Sequence, residues 1–97
     1  MPNKLYGGLH EMKFRSMAKK AVMEYWNDNE KLVDKFGAID SEKVYVVWQV
    51  KAIQNSKAIL GVSAEDDGMY FEFTYNGDEH VAYLDVYKKQ KKVTIEY

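Results

Sequence analysis

The strongest constraint on this chain is an Asn-Gly pair placed between two strand-like stretches. Residues 69–87 read MYFEFTYNGDEHVAYLDVY, with β-branched and aromatic residues on both sides of Asn76-Gly77. Asn-Gly favours a two-residue type I′ turn, because both central residues of that turn need a positive φ. The sequence therefore predicts a β-hairpin in which Tyr75 pairs with Asp78.

The side-chain alternation of this hairpin separates an apolar face from a tyrosine-rich face. Successive strand residues point to opposite faces, so the predicted register puts Phe71 and Phe73 on one side, with Phe73 opposite His80. A slip of one residue would mix the two faces, so the apolar pattern and the turn chemistry agree. The other face, which no second layer obviously covers, would carry Tyr70, Glu72, Tyr83, Asp85 and Tyr87.

The remaining segments predict a helix followed by strands. Apolar residues recur at three- and four-residue steps between Phe14 and Tyr25, which predicts an amphipathic helix from His10 to about Asn27. A short helix over 30–36 should follow and end at Gly37. Turn signals every eight to twelve residues then delimit five predicted strands, near 44–53, 57–64, 69–75, 79–87 and 93–97.

These elements predict an α+β fold with one main N-terminal amphipathic helix packed on a five-stranded antiparallel sheet in near-meander order. Side-chain alternation requires the loop around 54–56 to have an odd number of residues, three or five. The loop between the last two strands must have an even number of residues, with Lys89-Gln90 at its tip, which sets Val86 opposite Val93. The expected core consists of Trp48, Val50, Leu60, Phe71, Phe73, Leu84, Val86 and Ile95 from the sheet, with Phe14, Ala18, Ala21 and Tyr25 from the helix.

Length and composition limit the class of protein. The 97 residues predict a single domain over 1–97, with 1–9 as a flexible lead-in because it contains Pro2 and Gly7-Gly8. The absence of cysteine excludes disulfides and thiolate metal sites and fits a reducing cytosol. A net charge of −1 gives no bulk attraction to nucleic acid or anionic membranes. With no long apolar run and no signal peptide, a cytoplasmic protein is expected.

Catalytic and metal-binding patterns are sparse. The only histidines are His10 and His80, and no G-x-S-x-G, H-E-x-x-H or Walker sequence occurs. The run Asp78-Glu79-His80 would point to alternate faces of a strand, so its side chains would not converge on one ion. The sequence therefore predicts a protein that is not an enzyme and that uses no metal or cofactor.

Two surfaces remain as binding candidates, each with a simpler structural interpretation. The tyrosine-bearing face either stabilises the sheet through cross-strand pairs or forms a recognition surface, because tyrosine is enriched at interface hot spots. A second candidate is a lysine-rich turn next to Tyr87. It either contacts phosphates of a nucleic acid while the aromatic ring stacks on a base, or it is a solvated turn that discourages edge-to-edge aggregation. Its lysines are Lys88, Lys89, Lys91 and Lys92.

Three segments carry a resemblance to a known family: VYVVWQVKAIQNSKAIL (44–60) and DGMYFEFTYNGDEHVAYLDVYKK (67–89), behind MAKKAVMEYW (17–26). The chain resembles a small family of unknown function carried by phages and prophages of Gram-positive bacteria, and it departs from that family most in 1–9 and 30–43. The motifs are structural, so the family implies no catalytic residue. The resemblance implies an accessory protein made in the cytoplasm of an infected host, a context that favours an interaction role over catalysis. We therefore expect a non-catalytic protein that binds a host or defence protein through the tyrosine-bearing face, with anti-defence as one such role. A nucleic-acid-binding module is the alternative, and a homo-oligomer stays open.

Overall fold

The computed structural model describes residues 7–52, 54–63 and 68–97, and it shows a long helix packed on one antiparallel sheet, with a short helix against the long one. Helix α1 spans Gly7–Asn27, helix α2 spans Glu30–Phe36, and a 3₁₀ turn covers Ser41–Lys43. The strands are β1 (Val44–Ala52), β2 (Asn55–Val62), β3 (Met69–Asn76) and β4 (Val81–Lys88), hydrogen-bonded in the order β1-β2-β3-β4. The predicted α+β class and the meander order are confirmed.

The sheet has four strands in the described part of the chain, so the predicted fifth strand is wrong. Residues 93–97 follow β4 without joining the sheet. The connection Lys88-Lys89-Gln90-Lys91-Lys92 contains no Gly, Asn, Asp or Pro to form a tight turn.

The helices agree with prediction except at the first terminus. Helix α1 begins at Gly7 rather than His10, so residues 7–9 of the predicted lead-in are helical, and its residues 1–6 lie outside the described residues. Glycine lowers helix stability chiefly in a helix interior, and these two glycines lie in the first turn. Helix α2 has the predicted bounds. The Asn29 side chain caps it by accepting a hydrogen bond from the Leu32 amide, and Gly37 follows it with a φ of 87°.

Helix α1 buries a stripe of residues at four-residue spacing, and these side chains form the core with one face of the sheet. The stripe consists of Phe14, Ala18, Val22 and Trp26. The sheet contributes Val44, Ala58, Leu60, Val62, Phe71 and Phe73. The expected core residues Phe14, Ala18, Leu60, Phe71 and Phe73 are therefore confirmed, and Ala21, Tyr25 and Leu84 are partly buried against them.

Trp26 joins α1 to the segment that follows α2. Its side chain is fully buried, its indole Nε1 donates a hydrogen bond to the Gly37 carbonyl at 2.9 Å, and its ring lies 5.6 Å from that of Phe36. Next to it, the Asn27 side chain donates to the Ile39 carbonyl at 2.8 Å and accepts from the Ile39 amide at 2.9 Å. These bonds fix the chain between α2 and β1 against the end of α1.

The β1–β2 hairpin differs from the predicted one in its loop. Ala52 pairs with Asn55, so the loop has two residues rather than three or five. The register then shifts between Val46 and Trp48, which leaves Val47 as the extra residue of a β-bulge. A bulge sets two residues against one on the partner strand and so reverses the facing of the residues beyond it.

This reversal exposes two residues that were expected in the core. Val44 is buried on the helix side, but Trp48 and Val50 face away from α1 and are 51% and 45% exposed. Gln49 takes the helix-facing position instead, and its Oε1 accepts a hydrogen bond from Arg15 Nε at 2.7 Å. Core assignments for Trp48 and Val50 are therefore wrong.

The β3–β4 hairpin keeps the predicted faces in a different register. Phe73 pairs with Leu84 rather than His80, and Tyr75 pairs with Ala82 rather than Asp78. The connection is a four-residue loop over 77–80 rather than a two-residue turn. The predicted and observed registers differ by an even number of residues, so every side chain lies on the face of the sheet that was predicted for it.

Side-chain and long-range contacts explain the longer loop. Asn76 Oδ1 accepts hydrogen bonds from the amides of Asp78 and Glu79, at 3.0 and 3.2 Å. The Gly77 amide donates to the Gln54 carbonyl at 3.0 Å, and a Cβ on Gly77 would lie 2.4 Å from that oxygen. Gly77 is therefore needed for close approach to the neighbouring hairpin.

Two further core assignments fail at the β4 edge. Val86 is 38% exposed and Ile95 is 65% exposed. Helix α1 packs on β1, β2 and β3, so Val86 lies beyond the area that the helix covers. Ile95 belongs to the unpaired C-terminal segment.

The two tryptophans provide a matched test of this core. We expect Trp26→Phe to lower the free energy of unfolding by about 1–3 kcal/mol, because it removes a buried hydrogen bond and leaves a small cavity. Trp48→Phe, on the exposed face, should change it by less than about 0.5 kcal/mol. Urea denaturation followed by circular dichroism measures both values. Equal losses in the two variants would contradict the described packing.

Candidate functional site

The face of the sheet turned away from α1, here called the open face, collects aromatic and charged side chains from all four strands. Alternation and register place on it Tyr45, Trp48, Val50, Lys57, Ile59, Tyr70, Glu72, Thr74, Tyr83, Asp85 and Tyr87. The five residues predicted for the tyrosine-bearing face are therefore together, on neighbouring strands β3 and β4. Tyr45, Trp48, Tyr70, Tyr83 and Tyr87 are each 40% or more exposed.

Two of the tyrosines form an ordered cross-strand pair. Tyr70 lies directly opposite Tyr87, and their rings stack with centroids 4.8 Å apart and planes 12° from parallel. The Tyr87 hydroxyl donates a hydrogen bond to Glu72 Oε1 at 3.2 Å. Stacking and this bond hold both rings in place, so little side-chain entropy remains to be lost when another molecule contacts them.

Charged groups meet at the centre of the open face. Glu72 pairs across the strands with Asp85, which is unfavourable for like charges. Lys57 on the other neighbouring strand offsets this repulsion, since its Nζ lies 3.3 Å from Glu72 Oε2. Both carboxylate oxygens of Glu72 therefore have partners within the sheet, and Asp85 is the exposed acid of this group.

The same group raises the pKa of the Tyr87 phenol above its ordinary value of 10.0. The main cause is the hydrogen bond to Glu72, which stabilises the protonated hydroxyl, and the negative charge of that carboxylate adds to it. Smaller contributions come from partial desolvation, Asp85 and Tyr70. Tyr87 is therefore a neutral hydrogen-bond donor at any physiological pH.

The first strand adds residues that sequence reasoning missed. Tyr45 and Trp48 reach the open face on either side of the bulge at Val47. The Tyr45 ring lies over Gly61, where a Cβ would come within 2.6 Å of its Cζ atom. No local signal in the sequence identifies these residues, because Val44, Val46, Trp48 and Val50 alternate without interruption.

A shallow groove of about 440 Å³ crosses the open face near the hairpin loops. Tyr83 forms one wall and lies opposite Thr74 in the register, and Val50 and Lys57 line the side toward β1. Apolar walls next to a lysine suit contact with an amphipathic side chain of a partner.

The four candidate lysines do not form a hairpin turn. Lys88 ends β4, and Lys89, Lys91 and Lys92 lie in the exposed segment beyond it. The Lys89 amide donates to the Gly68 carbonyl at 2.8 Å, and its side-chain stem packs against Gly68. The predicted lysine-rich turn is therefore replaced by a chain that continues past the sheet.

Neither a metal site nor a membrane-spanning helix is present among the described residues. Over 7–52, 54–63 and 68–97, no cluster of three or more His, Cys, Asp and Glu side chains is placed to hold an ion. In the same residues, no helix is both long and apolar enough to cross a bilayer.

The Tyr87 pKa provides a test of the Glu72 contact. We expect Glu72→Gln to lower the Tyr87 pKa, because it removes the charge that disfavours tyrosinate, whereas Asp85→Asn should lower it less. In the unmodified protein the contact stabilises the fold below pH 10.0, and this contribution is lost as the pH rises above that value, because the folded state holds the proton more tightly. Carbon-13 titration of the tyrosine ring resonances measures the pKa. An unchanged pKa in Glu72→Gln would contradict the described geometry.

Comparison with known proteins places the chain in one family. The model of a family of unknown function, DUF6275, matches residues 15–97, which include most of α1 and the whole sheet. No curated protein and no solved structure matches the chain. The chain belongs to the DUF6275 family.

Proposed function

We propose that this protein acts without catalysis, by binding another protein through the open face. The observation that supports this function most directly is the ordered aromatic surface on that face. Half-exposed Tyr45, Trp48 and Tyr83 lie on the same side of the sheet as the stacked pair Tyr70 and Tyr87. Exposed apolar patches bordered by polar groups are typical of protein interaction sites, and tyrosine and tryptophan dominate interface hot spots.

The charges on the open face indicate the chemistry of the partner. Lys57 is already paired with Glu72, so the acidic character of the face comes mainly from Asp85, which lies opposite Glu72. A complementary surface would present aliphatic or aromatic side chains to the tyrosines and an arginine or lysine to Asp85. Such complementarity favours rapid association with the correct partner.

The resemblance to phage and prophage proteins provides the context for this proposal. It implies an accessory protein made inside a bacterium, where a host or defence protein is the partner and anti-defence is the role. The aromatic residues of the open face can bind another protein without a cofactor, and this supports a binding role of this kind.

A Tyr83 variant tests the proposed surface. Tyr83→Thr keeps strand propensity and removes the aromatic ring, so we expect affinity for the captured partner to fall by about 1–3 kcal/mol with little change in melting temperature. The partner is captured from host cells with the tagged protein, and affinity is then measured by calorimetry on purified components. Met17→Ala is the matched control, because it removes a similarly exposed apolar side chain from the outer surface of α1.

Two results would argue against the open face. Binding losses that follow losses in stability would leave the tyrosines as structural residues. Equal losses in Tyr83→Thr and Met17→Ala would place the binding site elsewhere.

Asp85 provides a second, kinetic test. We expect Asp85→Lys to slow association with the partner, because it reverses the exposed charge, while the melting temperature changes little. Stopped-flow measurements at two salt concentrations separate this effect from changes in dissociation. An association rate that is the same in both proteins would exclude a steering role for Asp85.

The salt dependence of binding tests the alternative function, which is nucleic-acid binding. Tyr87 of the stacked pair is followed in the sequence by the exposed lysines Lys88, Lys89, Lys91 and Lys92. Binding through them would weaken steeply as salt is added, because phosphate contacts release counterions. Absence of binding to single-stranded DNA or RNA at low salt would remove this alternative.

A further inference from the structure

The C-terminal segment has the side-chain pattern of a strand, but in the part of the chain that the structure describes no strand lies beside it. Val93, Ile95 and Tyr97 alternate with Thr94 and Glu96, and this period of two is typical of a strand with one apolar face. Val93 and Ile95 are 67% and 65% exposed, and Tyr97 is fully exposed. The segment therefore carries an apolar stripe that no described part of its own chain covers.

A matching edge lies on β4. This strand is last in the sheet order, so one of its sides has no neighbouring strand within the described residues. On the helix side of the same strand, Leu84 is only partly buried and Val86 is exposed, because α1 packs on the other three strands. An unpaired edge with incompletely covered apolar residues is a template for another strand.

The segment and the edge fit each other in an antiparallel register. When Val86 is set opposite Val93, Leu84 comes opposite Ile95, and all four side chains share the helix side of the sheet. Tyr97 then lies opposite Ala82, where its large ring meets a small residue. The pairing would extend the apolar layer beyond β4 and cover Val86.

Within one chain this register needs a tight turn at Lys89-Gln90, and the structure shows no such turn. Instead the Lys89 amide bonds to the Gly68 carbonyl at 2.8 Å, which carries the direction of β4 one residue past the strand. The chain then runs on through Gln90, Lys91 and Lys92 without returning to the sheet. A segment that leaves its own sheet in this way is placed to reach a second copy.

We propose that residues 93–97 pair with β4 of a second copy of this chain, and that the two copies exchange these segments symmetrically. The connecting residues 89–92 lie outside any strand, so they can cross between the copies without pairing, and a two-fold axis between the two connections repeats the same contacts and closes the dimer. Each four-stranded sheet gains a fifth strand from its partner. The open face lies on the other side of the sheet from this added apolar layer and stays accessible, so the dimer and the proposed binding function are independent.

Single-cysteine variants test the exchange, because the natural chain contains no cysteine. Leu84→Cys and Ile95→Cys proteins are purified separately, mixed under denaturing conditions, refolded together and oxidised mildly. We expect a disulfide-linked heterodimer, because the register sets position 84 of one copy opposite position 95 of the other. Leu84→Cys mixed with Thr94→Cys is the matched control, and it should give little product because Thr94 faces the other side of the sheet. Equal yields in the two mixtures, or no cross-linked product, would overturn the proposal.

A double variant separates exchange from pairing within one chain. Leu84→Cys combined with Ile95→Cys in one chain should give covalent dimers on a non-reducing gel. A monomer with an internal disulfide would show that the segment folds back on its own β4, and would overturn the proposal.

The unmodified protein provides an independent measurement. Light scattering after size exclusion should give the mass of two chains, at moderate ionic strength because lysines of both copies meet at the crossing point. We expect Ile95→Asp to weaken dimerisation by at least about tenfold, since it replaces a buried apolar contact by a charge. Thr94→Asp adds the same charge on the other side of the sheet and should change dimerisation much less. A monomeric protein over the micromolar range, or equal effects of the two substitutions, would contradict the exchange.

Discussion

The packing of one helix against one face of a four-stranded sheet is the interaction on which the rest of the structure depends. The α1 stripe from Phe14 to Trp26 and the inner residues of β2 and β3 form a single buried layer. Burial of this apolar area is the main favourable term that a chain of this size has available for folding. Because α1 covers one face only, the aromatic residues on the other face of the sheet are exposed among the described residues.

The bulge in β1 determines how aromatic that solvent face becomes. Without the extra residue at Val47, strict alternation would carry Trp48 and Val50 to the helix side, next to the residues that α1 covers. With it, the first half of β1 adds Val44 to the core and the second half adds Trp48 to the open face. One strand therefore contributes to both the core and the exposed surface, and the change between them takes place at a single residue.

Sequence reasoning recovered the features that depend on local periodicity. The extent of α2, the positions of the first four strands and the separation of Phe71 and Phe73 from the tyrosines all follow from periods of 3.6 and 2, which are properties of neighbouring residues. The errors depend on contacts between distant residues. Asn76-Gly77 predicts a type I′ turn, but the loop length follows from the Asn76 side chain and from Gln54 on another hairpin.

The same reason explains the misassigned core residues. Trp48 and Ile95 are strongly apolar, and no local pattern shows that a bulge or an unfavourable turn keeps them outside the core. Tyr70, Glu72, Tyr83, Asp85 and Tyr87 were grouped correctly because an even register error does not change which face a residue occupies. The stacking of Tyr70 on Tyr87 could not be predicted, because it depends on the observed register of the β3–β4 hairpin.

The hydrogen bond between Gly77 and Gln54 has a consequence for the mobility of the sheet. It joins the loop of the β3–β4 hairpin to the loop of the β1–β2 hairpin across the end of β2, so two turns that are distant in sequence share one contact. Fraying of either hairpin breaks a bond that the other also uses. This end of the sheet therefore unfolds locally as one unit, and an insertion into either loop should destabilise both hairpins.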